Sequence, residues 1–320
     1  MTSPDGLASP GPIIATRSDS GVLGSRVDVA GLSKHFGSVV AVDDLTFTVD
    51  PGRVTGFLGP NGSGKTTTLR CLLGLVEPTT GTATIGAQRY HDIAHPARVV
   101  GAALEATGFH PGRTARNHLR VLALAGGIEE SRADATLDLV GLADSARRSV
   151  GGFSLGMRQR LQLAAALLGD PGVLLLDEPA NGLDPEGIAW LRGFLRYLAS
   201  QGRTILISSH VLSEVEQTVD DVVIIARGRL VRACPLSDIT DHGQRLVVRT
   251  PQTEELIAAL AQQVPQARVS RQDDGSLLIE DVDSPSVGRA ALDAHIELHE
   301  LRPATSDLEQ VFLSLTGGAQ

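Results

Sequence analysis

One eight-residue stretch constrains this chain more than any other: Gly59-Pro60-Asn61-Gly62-Ser63-Gly64-Lys65-Thr66. It satisfies G-x-x-x-x-G-K-[ST] at every specified position and lies between a predicted strand, Val54 to Leu58, and a predicted helix, Gly64 to Leu73. Glycines let the backbone curl until successive N–H groups point inward at an anion, and the helix that follows presents its positive dipole end to the same place. Lys65 adds a point charge suited to the β- and γ-phosphates, and the Thr66 hydroxyl is placed to ligate Mg²⁺. The only other lysine is Lys34, so the match does not come from a lysine-rich composition. The strand, loop and helix order is that of a phosphate-binding unit, with Thr67 the next polar residue beside the nucleotide-binding set.

A second constellation follows downstream. Val173-Leu174-Leu175-Leu176 is an apolar strand that ends in Asp177 and Glu178. One carboxylate, Asp177, can position Mg²⁺, and the other, Glu178, can accept a proton from an attacking water. Taken alone, the segment could equally be a buried strand emerging into an acidic turn. Further apolar runs at Thr204 to Ser208 and Val222 to Ala226 read as parallel strands covered on both faces. Between them and the loop the periodicity turns helical, at Ala115 to Ala125, Glu130 to Val140 and Ser154 to Leu168, so residues from about 105 to 168 form a helical insert. Ahead of the loop, residues from Arg26 to about Asp50 read as an antiparallel entry sheet.

Composition excludes several classes. A formal net charge of −9 argues against a broad nucleic-acid surface, so an anionic ligand has to be held locally. The two cysteines, Cys71 and Cys234, are far apart and suit a reducing compartment. The longest apolar stretch, Leu161 to Leu176, is broken by Gly169, Asp170, Pro171 and Gly172, which leaves no membrane span. Residues 1–25, rich in Ser, Pro and Gly, are expected to be a disordered tail.

The phosphate loop, Ser154-Leu155-Gly156-Met157-Arg158-Gln159-Arg160, the acidic strand, Asn181-Gly182-Leu183-Asp184-Pro185 and His210 stand in the order and spacing of an ABC transporter ATPase domain, which Val27 to Leu236 resembles. The resemblance implies ATP and Mg²⁺ as ligands and hydrolysis within a homodimer or heterodimer. In it, Ser154 and Gly156 meet the γ-phosphate bound on the other subunit. It makes Asp184 the dimer-seam aspartate, His210 the switch histidine at the γ-phosphate and Phe36 the aromatic that stacks on adenine. It also implies a separate membrane permease and a cytoplasmic place on the inner face of the membrane. Leu155 and Met157 stand where the family usually carries Gly and Gln, and Glu105 stands where its Q-loop glutamine is expected as a metal contact. A kinase or GTPase with the same loop lacks a signature helix ahead of the acidic strand. A soluble ABC ATPase, or an ATP-binding regulator without turnover, remains the alternative.

Beyond a break at Asp238 to Gly243 the order changes to a small α+β unit. Strands are expected at Arg245 to Thr250, Ala267 to Gln272, Leu277 to Glu280 and Ile296 to Leu301, and helices at Thr253 to Val264 and Val287 to Ala294. This βαββαβ order is ferredoxin-like. A last helix, Asp307 to Leu315, opens on a Ser306 and Glu309 capping box. The expected fold is therefore α/β, a P-loop ATPase domain over 26–240 with a ferredoxin-like accessory domain over 241–320. The C-terminal stretch resembles that of ATPases of the daunorubicin- and antibiotic-resistance exporter type, which implies export of a drug, antibiotic, lipid or polysaccharide.

Overall fold

The computed structural model describes residues 24–104, 108–211, 215–240, 245–272 and 274–304. Glu105 and the helix expected at Asp307 to Leu315 lie outside the described residues. The backbone separates into two compact units, Met1–Pro235 and Leu236–Gln320.

In the first unit, β1 (Val27–Phe36), β2 (Val39–Val49) and β4 (Thr80–Ile85) form an antiparallel sheet in the order β2-β1-β4. One residue in two faces inward, as the pleat requires, so Val27, Val29, Leu45, Phe47 and Val49 are buried while their neighbours meet solvent. These side chains share a core with Phe57, Leu175, Leu206 and Val223 of a second, six-stranded sheet. That sheet comprises β5 (Val100–Ala103), β6 (Val173–Leu176), β7 (Thr204–Ser209), β3 (Val54–Leu58), β8 (Asp221–Ala226) and β9 (Arg229–Pro235), in that spatial order. Its first five strands are parallel, and β9 returns antiparallel to β8. Strands β3 and β6 are buried at every position, which is why neither shows the polar alternation of a half-exposed strand.

Helix α1 (Lys65–Leu72) follows β3 directly, α2 (Pro96–Val99) precedes β5, and α6 (Pro185–Ser200) packs on β3 and β7. The insert carries α3 (Ala115–Ala125), α4 (Arg132–Leu139) and α5 (Leu155–Ala166), joined by their buried faces. Thr114 and Ser154 cap α3 and α5, each hydroxyl accepting from the backbone N–H three residues on.

Strand β9 was not expected from the sequence, because it lies at the sheet edge and alternates without a buried face. It pairs through a tight turn at Arg227 and Gly228, both with positive φ, the geometry that matches strand twist. Gly24 and Ser25, read as the end of a tail, are bonded to Gly202 and Thr204.

In the second unit, α7 (Ser237–Thr240) makes one helical turn where a linker was expected. Then β10 (Leu246–Arg249), α8 (Thr253–Gln263), β11 (Arg268–Arg271), β12 (Leu277–Glu280), α9 (Ser284–Asp293) and β13 (Glu300–Pro303) follow, with all-antiparallel strand order β11-β12-β10-β13. The last strand begins later than the sequence suggested. Ile296 is taken up by the end of α9: its N–H donates to Ala291 O at 2.8 Å, and that of His295 (φ 57°) to Leu292 O at 3.0 Å. This is the left-handed helix stop that usually carries glycine, with a buried apolar residue just after it.

Candidate active site

The parallel strands bring their carboxyl ends together, where open α/β sheets bind ligands. In register, Leu58 pairs with Ser209, and Leu176 with Ile207, so the loop after β3, the acids after β6 and His210 after β7 meet at one edge.

Within the loop, Gly62 (φ 80°) and Gly64 (φ 105°) adopt left-handed backbone. A Cβ on Gly64 would come within 2.5 Å of Ala41 O, so glycine is required there for space as well as conformation. Gly64 also stands at the N-cap of α1 with no side chain in the way, which leaves the helix's first N–H groups directed at the loop. Pro60 and Asn61 form the outer bend; Ser63 is buried, and its carbonyl receives Gly228 N–H at 3.0 Å.

Lys65 is 6% exposed and donates to Gly59 O at 2.6 Å and Pro60 O at 3.3 Å. Its ammonium lies 3.6 Å from Glu178 Oε1. Burial lowers the Lys65 pKa, while the carboxylates of Glu178 and Asp177 oppose that shift. Thr66 Oγ1 donates to Asp177 Oδ2 at 2.7 Å, and Thr67 follows half-buried on α1. Glu178 Oε2 lies 2.8 Å from His210 Nδ1. Lys65, Thr66, Asp177, Glu178 and His210 are therefore assembled in one network.

The remaining residues singled out by the sequence sit apart from that network. Phe36 is 50% exposed at the β1–β2 turn, with Lys34 Nζ 4.9 Å above its ring. Ser154 caps α5, and its hydroxyl bonds Met157 N–H of its own helix at 3.2 Å. Gly156 faces Leu183, and Gln159 donates to Asn181 O at 3.3 Å, so the start of α5 rests on the loop before α6. Leu155, which replaces the family's usual residue, lies over Gly182 so closely that a Cβ there would meet its Cδ2 at 2.2 Å. Asp184 caps α6 by accepting from Gly187 N–H at 2.7 Å.

Sequence reading passed over Ser208, whose hydroxyl bonds Asp177 and Glu178. It named Arg160 only within the Ser154 to Arg160 segment and gave it no role; its guanidinium lies 4.2 Å over the Trp190 ring and ties α5 to α6. A serine inside an apolar strand carries no local signal of the acids on the neighbouring strand.

A glycine-rich anion loop at a helix start, a buried lysine, a threonine–aspartate pair and a glutamate beside them define a P-loop ATPase. A family model described as ABC transporter matches residues 42–181, and another, a domain of unknown function (DUF8746), matches residues 244–309. The bacitracin transport ATP-binding protein BcrA of Bacillus licheniformis is 43% identical over 226 residues, 70% of this chain and 74% of that protein. BcrA of Enterococcus faecalis is 34% identical over 298 residues, 91% of this chain and 96% of that protein. Among solved structures, the ATP binding subunit of an ABC transporter aligns with TM-score 0.61 at 30% identity, covering 67% of this chain and 92% of the other. The chain belongs to the ABC transporter ATP-binding family, and is an ATPase of that family.

Proposed function

We propose that this chain is the ATP-hydrolysing subunit of an exporter, with residues 26–240 as its ATPase domain, a helical subdomain at about 105–168, and an accessory domain at 241–320. It works as a dimer on the cytoplasmic face of a membrane, docked through its helical insert on a separate permease that carries the cargo. The similarity to bacitracin transport proteins favours an antibiotic or a related amphiphile as that cargo. Among the described residues no helix is long and apolar enough to cross a membrane.

In this reading the backbone from Gly59 to Thr66 and the ammonium of Lys65 hold the triphosphate, and Phe36 stacks on adenine. Thr66 Oγ1 and Asp177 Oδ2, 2.7 Å apart, are two hard oxygen donors of the kind Mg²⁺ prefers. Held by these two residues, Mg²⁺ would supply neutralisation of charge on the phosphate oxygens. Glu105 is proposed as a further metal contact and as the link to the permease. Glu178 accepts the proton of the attacking water and His210 holds its carboxylate in place. Ser154 and Gly156 at the start of α5, with Asp184, close the site of the partner protomer.

The observation that carries this reading is the placement of Glu178 between Lys65 and His210, beside the Thr66–Asp177 pair. The experiment is Glu178→Gln. ATP binding should persist, phosphate release should fall about 10²- to 10⁴-fold, and ATP should trap the chain at twice its mass. Wild-type turnover in that variant would remove Glu178 from the base role.

A further inference from the structure

Strand β7 approaches the catalytic acids with a group that the ATPase reading has not used. Ser208 is fully buried, pairs with Phe57 of β3, and points its hydroxyl across to the end of β6. A serine hydroxyl has one proton to give and lone pairs to receive. Ser208 uses both: it donates to Asp177 Oδ1 and accepts from Glu178 N–H at 2.9 Å. The other oxygen of Asp177 already receives the Thr66 hydroxyl.

Glu178 itself has φ 49°, left-handed backbone that a side chain bearing a Cβ seldom adopts and that persists only where its surroundings hold it. Ser208, near the end of β7, and His210, just beyond it, both reach Glu178. They grip Glu178 at two points, Ser208 at its amide and His210 at its carboxylate. With only the second grip, the carboxylate could pivot about His210 while its backbone relaxed.

We propose that Ser208 is a positioning residue for ATP hydrolysis: its hydroxyl locks the peptide between Asp177 and Glu178 and so sets where the Glu178 carboxylate stands. This rests on Glu178 acting as the base. Ser208 makes no bond to the phosphate loop itself and reaches it only through Asp177, so loss of its hydroxyl should lower kcat more than it raises the KM for ATP.

The test compares Ser208→Ala and Ser208→Cys, which remove the hydroxyl, with Ser208→Thr, which keeps it. Ser209→Ala serves as control, because among the described residues the buried Ser209 hydroxyl bonds only the backbone of Val211. Expected are a kcat lowered roughly 10- to 100-fold by Ala and Cys with the KM for ATP changed by less than about threefold, recovery of kcat to within about threefold by Thr, and no change in the control. Cys is close to Ser in size, so it carries the comparison if Ala melts early.

Single-turnover phosphate release in a Glu178→Gln background separates the two readings. A positioning residue that acts through Glu178 has little left to remove there, so adding Ser208→Ala should change the residual rate by less than about threefold. Wild-type kcat in both Ala and Cys would overturn the proposal, as would the same loss with and without Glu178→Gln. Full turnover in Glu178→Gln alone would instead overturn the base role beneath it.

Discussion

His118 sits on α3 with its Nδ1 buried and without a hydrogen-bond partner among the described residues, and its ring packs edge-on against Phe109 at 4.9 Å. Burial, aided by the Arg113 charge, holds this imidazole below its ordinary value of 6.5. The unfolded chain therefore binds a proton there that the folded chain refuses, and stability falls as pH drops below 6.5 toward the folded value. His118→Phe should flatten the fall in Tm between about pH 7.5 and about pH 5, read by thermal melts of both chains. An unchanged slope would show that other groups set the acid limit. Lys65 is the opposite kind of buried group: its burial penalty is met by two carboxylates and two carbonyls at a place where phosphate oxygens can exchange for them.

Helices α3, α5, α6 and α9 begin on side chains that accept from an N–H of their first turn. Asp184 both opens α6 and stands at the proposed dimer seam, which makes the two roles separable. Asp184→Ala should lower the unfolding free energy by about 1 kcal/mol, whereas Asp184→Asn, which retains an accepting oxygen, should not. Urea titration checks the cap, and ATPase rates of the two variants check the seam. The close approach at Gly187, where a Cβ would lie 2.9 Å from Asp184 Oδ1, shows how tightly this cap is built. Such caps are local, so Ser154 and the bounds of α3 were legible in the sequence. The late start of β13 was not, because an apolar residue reads alike whether it continues a strand or stops a helix.

Across the whole molecule the phosphate network and the start of α5 belong to different regions of the first unit, and the proposed mechanism completes each site with a second protomer. Mixing Lys65→Ala chains with Gly156→Asp chains should restore turnover that neither shows alone. Free exchange of protomers gives roughly a quarter of the wild-type rate, since half the dimers are mixed and each holds one intact site. Phosphate release from the mixture measures it; a Gly156→Asp chain active by itself would sink the shared-site mechanism.

The phosphate loop, the bounds of β3 and β6, the helices of the insert and the βαββαβ order of the second unit were all readable from the chain, because turn conformation, capping and periodicity are set by residues close in sequence. Tertiary structure decided the rest. Thr66 meets Asp177 across 111 positions and Ser208 meets it across 31, and only the strand order β6-β7-β3 makes them neighbours. The left-handed turn of Glu178 likewise depends on a partner from another strand. Hydrogen bonds act over about 3 Å of space and are indifferent to separation along the chain, so the sequence names the acids and the sheet sets the partners that hold them.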